Sequence, residues 1–295
     1  MNQFKGLGVA MVTPFLEDGN IDIQSLKKLT NFLIEGGVNY LVVQGTTGES
    51  PVLNATEKRL VLDTVIAANQ DRVPVVYGVG GNNTSLVISN LKSLESTGIS
   101  GILSVSPYYN KPTQDGIYAH YKALAEATNL PIIIYNVPGR TGSNILPETT
   151  LRLASDFKNF VGIKEASGNI EQVMSIIRDR PKDFLVISGD DAITLPLLAT
   201  GADGVISVLG NAFPKEFSEM VKLGLEGNFI AARPIHYRLL EITKLLFKEG
   251  NPAGVKETLK YLGICRNTVR LPLIPVSAAT STEIRNELKE QGWYS

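Results

Sequence analysis

Short apolar runs recur along this chain at intervals of about 20 to 35 residues, most of them followed by a stretch of helical periodicity, and this recurrence restricts the fold more than any single motif does. Strand-like runs fall at Gly8–Thr13, Tyr40–Gln44, Val75–Gly78, Gly101–Val105, Ile132–Tyr135, Val161–Lys164, Leu185–Ser188 and Gly204–Val208. Helix-like stretches lie between them, among them Ile23–Glu35, Asn54–Ala68, Leu86–Thr97, Ile117–Ala127 and Ile170–Arg178. The runs show little polar alternation, as expected of parallel strands covered on both faces. Eight such units favour a closed (β/α)8 TIM barrel over an open doubly wound sheet. After about residue 225 the strand signals stop, and Phe229–Lys248, Ala253–Leu262 and Thr282–Gln291 carry helical periodicity. The expected division is a barrel over residues 1–225 and a C-terminal helical extension over 226–295, packed on the barrel or on a neighbouring subunit. Asn211, Pro214, Gly250, Asn251, Pro252 and the segment Leu271–Pro275 read as structural punctuation.

Composition narrows the function. A net charge of -1 gives no basic field for nucleic acid. The single Cys265 excludes an internal disulfide framework and any CxxC site, while His120 and His236 stand far apart, outside any metal-binding spacing. No apolar run approaches the length of a membrane span, and the N-terminus lacks a signal-peptide pattern, so a cytoplasmic protein is expected. Gly78-Val79-Gly80-Gly81 runs into Asn82-Asn83-Thr84, which reads as a turn and helix cap more readily than as a nucleotide loop.

Within Val161-Gly162-Ile163-Lys164-Glu165-Ala166-Ser167, strand alternation sets Gly162, Lys164 and Ala166 on one face and Val161 and Ile163 on the other. If the latter pack on helices, Lys164 points into the barrel interior, where an ammonium is costly unless it loses its proton or finds partners. The ordinary alternative is a strand-end lysine with its head in water. A barrel brings the C-terminal ends of its strands to one mouth, so the groups that could surround this amine can be named. They are Thr46 and Thr47 after the second strand, Tyr109 after the fourth, Tyr135 and Arg140 from the fifth, Asp190 and Asp191 after the seventh, and Ile206 on the eighth. The two tyrosines offer phenols that donate and accept protons, the Gly-Thr-Thr-Gly segment offers amides and hydroxyls for a small anion, and Arg140 offers a fork for a carboxylate. Each also has a structural reading, as packing, helix cap or solvated surface. Asp190 and Asp191 read as helix caps before they read as metal ligands. Together the parts suit covalent amine catalysis on a carbonyl substrate: a neutral amine attacks a ketone, Tyr135 on the adjacent strand relays protons, and the iminium serves as electron sink without a metal or cofactor.

These residues carry a resemblance to the dihydrodipicolinate synthase family of pyruvate-dependent class I aldolases. It extends from Gly8-Val9-Ala10-Met11-Val12-Thr13-Pro14 to Leu271-Pro272 and rests on Gly45-Thr46-Thr47-Gly48-Glu49, Tyr108-Tyr109-Asn110, Tyr135 through Gly142, and Gly162-Ile163-Lys164-Glu165-Ala166. The resemblance implies that Lys164 forms the pyruvate Schiff base and that Tyr135, Thr46 and Tyr109 form the proton relay, Tyr109 arriving from a neighbouring subunit. It further implies that Thr47 holds the pyruvate carboxylate, that the Ile206 main chain lines the pocket, and that Arg140 binds the carboxylate of L-aspartate 4-semialdehyde. The implied product is 4-hydroxy-tetrahydrodipicolinate, on the diaminopimelate route to lysine, and the implied assembly is a homotetramer built as a dimer of dimers.

Two rivals remain at this stage. A sialic-acid or sugar-acid lyase of the same superfamily would keep the lysine and tyrosine; Arg140 and the paired Thr46-Thr47 argue for the synthase, because N-acetylneuraminate lyases typically carry Gly-Ser-Thr-Gly and lack the arginine. A catalytically silent regulatory barrel would have no reason to retain the nucleophile, both tyrosines, both threonines and the arginine. One departure matters: lysine-inhibited bacterial members typically place histidine at the position of Lys58 and glutamate at that of Leu86, although Ser50, Asn82 and Tyr108 are kept. The expectation is weak or absent feedback inhibition by L-lysine.

Overall fold

The computed structural model of the chain describes residues 2–294. Eight strands, β1 (Gly6–Ala10), β2 (Tyr40–Val43), β3 (Val75–Gly78), β4 (Gly101–Val105), β5 (Ile132–Asn136), β6 (Phe160–Glu165), β7 (Leu185–Ser188) and β8 (Gly204–Ser207), follow one another in register and close where β1 pairs with β8. All the pairings are parallel. Around them run α1 (Ile23–Glu35), α2 (Ala55–Asn69), α3 (Thr84–Lys92), α4 (Gln114–Ala125), the single turn α5 (Pro138–Thr141), α6 (Pro147–Asp156), α7 (Ile170–Asp179), α8 (Thr194–Ala199) and α9 (Pro214–Leu225). The chain ends in α10 (Phe229–Phe247), α11 (Ala253–Tyr261) and α12 (Ala278–Glu290).

The absence of polar alternation in the strands has the anticipated cause: both faces are buried. Val42, Val76, Leu103, Ile133, Leu185 and Ile187 fill the barrel interior, whereas Leu41, Val43, Ile102, Ile134, Ile163 and Val186 pack against the helices. Tyr40 fills the interior so closely that a Cβ on Gly8 would come within 2.2 Å of its ring, which accounts for a glycine in the middle of β1. Helices start where short polar residues take up their first amides: Asp22, Asn54, Asn83, Thr113 and Asn169 each accept from a backbone N–H, and Asn54 forms a full capping box with Glu57.

Several boundaries move from their expected places. β1 ends at Ala10 instead of Thr13 because Asn211 intervenes: its amide accepts from Val12 N at 3.1 Å and donates to the Ala10 carbonyl at 2.8 Å, replacing the next ladder bonds. Helix α3 begins at Thr84, directly after its Asn83 cap, and stops at Lys92, short of Thr97. The parity expected for β6 also needs correction. Its register against β5 shifts between Ile132↔Phe160 and Ile133↔Gly162, so Val161 is an unpaired bulge residue. Val161 consequently joins the interior cluster instead of sharing the helix-facing side with Ile163, and Lys164 keeps its inward direction.

The last three helices pack on the barrel. Helix α10 lies along α8 and α9 and carries α11 and α12, and α11 reaches the single turn Leu209–Asn211 that follows β8. Among the described residues no helix is long and apolar enough to cross a membrane.

Candidate active site

Lys164 sits near the C-terminal end of β6, paired in register with Tyr135 on β5. Its side chain is 5% exposed and its Nζ lies 4.3 Å from the centroid of the Tyr135 ring, with no carboxylate within ion-pair distance among the described residues. A buried amine over a phenol, without a counter-ion, differs from the solvated strand-end lysine that was the ordinary alternative. Gly189 makes room for it, since a Cβ there would stand 3.1 Å from Lys164 Cε. The neighbouring Glu165 faces the helices, where Asn136 at 2.9 Å, Gln172 at 3.0 Å and the Ser167 amide at 2.7 Å donate to it. That acid is therefore occupied structurally and does not reach the interior.

A cavity of about 720 Å³ opens at the mouth, lined by Thr46, Tyr135, Val137, Arg140 and Thr141 and continuing past Ser50, Lys58, Gly80 and Tyr108 toward α2 and α3. Thr46 and Thr47 belong to a single 3₁₀ turn shortly after β2, and Thr46 lines the cavity. Arg140 projects from α5 and has no ion-pair partner among the described residues, which leaves its fork free for an anion. Ile206 is buried in the interior cluster, and the β7–β8 ladder stops one residue short of it, at Ser188↔Val205. Four expected residues, Lys164, Thr47, Tyr109 and Ile206, are not among the groups that line this cavity. Thr47 is 2% exposed and its Oγ1 is held by Asn251. Tyr109 is 88% exposed, on a strained backbone with φ of 74°, which a non-glycine residue rarely adopts.

The aspartates differ from each other and from the expected cap. Asp190 accepts from the Ala192 amide at 2.9 Å, but Asp191 reaches across to the segment after β8 and accepts from the amides of Val208 at 3.0 Å and Leu209 at 2.8 Å. Burial pushes its carboxyl up to about 6, against the opposing pull of those two amides. Neither caps α8, whose N-cap is Ile193. Among the described residues no cluster of three or more His, Cys, Asp or Glu side chains could hold a metal.

What the sequence reading missed is a clamp from the C-terminal helices onto the loop after β2. Lys256 of α11, wholly buried, meets Glu49 at 2.5 Å and donates to the Thr268 carbonyl at 2.8 Å. Burial lowers its pKa, while the Glu49 carboxylate opposes that shift. The other Glu49 oxygen accepts the Arg270 backbone amide at 2.9 Å, and the Arg270 guanidinium bonds Gly19, Val52 and Glu57. Phe15 lies between the two cations, 4.2 Å from Lys256 Nζ and 4.5 Å from the guanidinium carbon. Asn251, read from sequence as punctuation beside Gly250 and Pro252, donates to Thr47 Oγ1 at 2.9 Å. No local signal marks these residues, because their partners lie some two hundred positions away.

Comparison with known proteins agrees with this fold. A model of the dihydrodipicolinate synthetase family matches residues 3–291. The chain is 56% identical over 284 residues to a 4-hydroxy-tetrahydrodipicolinate synthase of Flavobacterium psychrophilum, covering 96% of this chain and 97% of the relative. Among solved structures it is similar to dihydrodipicolinate synthase from Thermotoga maritima, with a TM-score of 0.96, 45% identity and coverage of 98% and 99% of the two chains. It is also similar to the chloride-inhibited dihydrodipicolinate synthase from Acinetobacter baumannii in complex with pyruvate, with a TM-score of 0.95, 41% identity and coverage of 98% and 99%.

Proposed function

Because the chain belongs to the dihydrodipicolinate synthetase family, we propose that it condenses pyruvate with L-aspartate 4-semialdehyde through an imine on Lys164, giving 4-hydroxy-tetrahydrodipicolinate on the diaminopimelate route to lysine. The observation that carries this reading is the buried, unpaired Lys164 amine over the Tyr135 ring, beside a cavity that Thr46, Tyr135 and Arg140 line. The amine adds to the pyruvate ketone and water leaves, forming an iminium. Loss of a methyl proton gives an enamine, whose carbon attacks the aldehyde of the second substrate, and the aldehyde oxygen takes up a proton as hydroxyl. The amino group of the added unit then closes on the imine carbon, and the Lys164 amine is released. The imine is itself the electron sink, so the chemistry invokes no metal or cofactor.

In this reading Tyr135, Thr46 and Tyr109 relay the protons, Thr47 and the Ile206 main chain hold the pyruvate unit, and Arg140 takes the semialdehyde carboxylate. Tyr109 serves the site of a neighbouring subunit, in keeping with its exposure and strained backbone, and the assembly is a homotetramer of two such pairs. Residues 1–225 form the catalytic barrel and 226–295 a helical domain, and the protein works in the cytoplasm without nucleic-acid or membrane partners. Borohydride reduction in the presence of pyruvate, followed by peptide mass mapping, tests the core of the reading. The expected result is a reduced pyruvate adduct on Lys164; absence of a pyruvate-dependent adduct defeats it. A coupled assay with N-acetylneuraminate in place of the semialdehyde should show no turnover.

A further inference from the structure

Asn251 meets Thr47 from the opposite end of the chain, and the pairing leaves one hydrogen without a protein acceptor. Asn251 Nδ2 donates to Thr47 Oγ1 at 2.9 Å, with the two residues 7% and 2% exposed. A threonine hydroxyl both accepts and donates. One of its two lone pairs accepts here from Nδ2, and among the described residues no protein acceptor takes its proton. Asn251 Oδ1, also buried, is without a partner. Burying a donor unsatisfied costs about 1–3 kcal/mol, so the arrangement calls for an acceptor from outside the protein. Thr47 does not itself line the cavity, but Thr46, the preceding residue in the same turn, does so beside Tyr135 and Arg140, so the barrel mouth is the nearest side from which such an acceptor can come.

We infer that Asn251 is a positioning residue for the 2-oxo acid: by donating into one lone pair of Thr47 Oγ1 it fixes the hydroxyl rotor so that the Thr47 hydrogen is directed at a carboxylate oxygen of the substrate. This rests on the imine chemistry proposed above, and it adds a residue of the C-terminal segment to the recognition of the first substrate. Donation into a hydroxyl oxygen also polarises its O–H, so the amide strengthens the bond that Thr47 gives the carboxylate. The buried Lys256–Glu49 pair and the Arg270 amide hold the two segments together, which keeps the 2.9 Å contact in place.

The test is a set of steady-state measurements on the full-length protein. Asn251→Asp keeps the shape but replaces the donor by an acceptor carrying charge, so the Thr47 hydrogen turns toward the new carboxylate. The pyruvate KM should rise by about tenfold or more, as a lost bond to a charged group implies, while the KM for the semialdehyde stays within about twofold. Asn251→Ala removes the donor without adding charge and should raise the pyruvate KM less. In a Thr47→Val background the effect of Asn251→Ala should vanish, because Asn251 acts through that hydroxyl; a purely structural role would persist there. If Asn251→Asp does not fold, the Ala/Val cycle alone decides. An unchanged pyruvate KM in Asn251→Asp, or additive effects in the cycle, overturns the inference. Borohydride trapping on wild-type protein separates the two levels: a wild type that forms no Lys164 adduct refutes the proposed chemistry, whereas trapping with a normal pyruvate dependence in the Asn251 variants refutes only the positioning role.

Discussion

The proposed reaction sets opposite requirements on Lys164 and Arg140: one would have to be shielded to act as an amine, the other to remain open to an incoming carboxylate. Lys164 is buried over Tyr135, and Arg140 lines the cavity without an ion-pair partner among the described residues. Arg140→Ala should therefore weaken use of the semialdehyde by about 10- to 100-fold in kcat/KM, the range for a lost charge-assisted bond, with pyruvate trapping on Lys164 largely retained. Equal loss of both steps would contradict the division of labour. A second residue-scale prediction concerns Lys58 and Leu86. Lys58 lines the cavity beyond Ser50 and Tyr108, and Leu86 is exposed on α3. An incoming L-lysine would meet a like charge at Lys58 and an alkyl group at Leu86 where an acceptor is needed, so millimolar L-lysine should leave the purified enzyme largely active. Tight inhibition would refute this. Residue by residue, the inward direction of Lys164 and the gathering of Thr46, Tyr135 and Arg140 around one cavity were legible because they depend on strand parity and on strand ends that converge on one mouth. Val161 was not, because a bulge breaks the parity that placed it. Asn251 was not, because its role depends on a contact that no neighbour in sequence announces.

At the scale of elements, helix starts were more legible than strand ends. A capping side chain such as Asn83 or Asn169 sits next to the helix it begins, whereas β1 is cut short by Asn211 from a turn far along the chain. The loop after β8 shows the same long-range logic. Asp191, after β7, holds the amides of Val208 and Leu209 from a fully buried position. Its carboxyl stands at about 6 in the folded protein, above the ordinary carboxylate value of about 3.9. Below about pH 4 both folded and unfolded chains hold the proton. Between about pH 4 and 6 only the folded chain does, so stability falls as pH rises through this window, and above it the cost is constant at about 3 kcal/mol. Asp191→Asn retains an oxygen to accept from both amides but cannot titrate. Urea midpoints measured across pH 4 to 6.5 should accordingly show a shallower decline in the variant than in wild type; matching slopes would mean that Asp191 is not the titrating group.

The whole molecule raises the question of where a site is completed. Each chain builds the mouth, the lysine and Tyr135 by itself, yet it turns Tyr109 outward on a backbone of φ 74°, beside the partly exposed Tyr108 and not far in sequence from the exposed Leu86. Strain at an exposed aromatic is unrewarded in an isolated chain, and burial against a second copy would offset it. In a two-fold pair each subunit's Tyr109 would then serve the other's Lys164. Mixing two inactive variants distinguishes this from a site completed within one chain. Tyr109→Phe subunits keep Lys164, and Lys164→Ala subunits keep Tyr109. In a heterodimer the intact Lys164 meets the intact Tyr109 at one site, while the other site carries both lesions. Random pairing at equal concentrations makes about half the dimers mixed, each with one good site of two, so about a quarter of wild-type activity should return. If Tyr109 acts within its own chain, every site keeps one lesion whatever the pairing, and coexpression of the two variants gives no recovery above their separate activities.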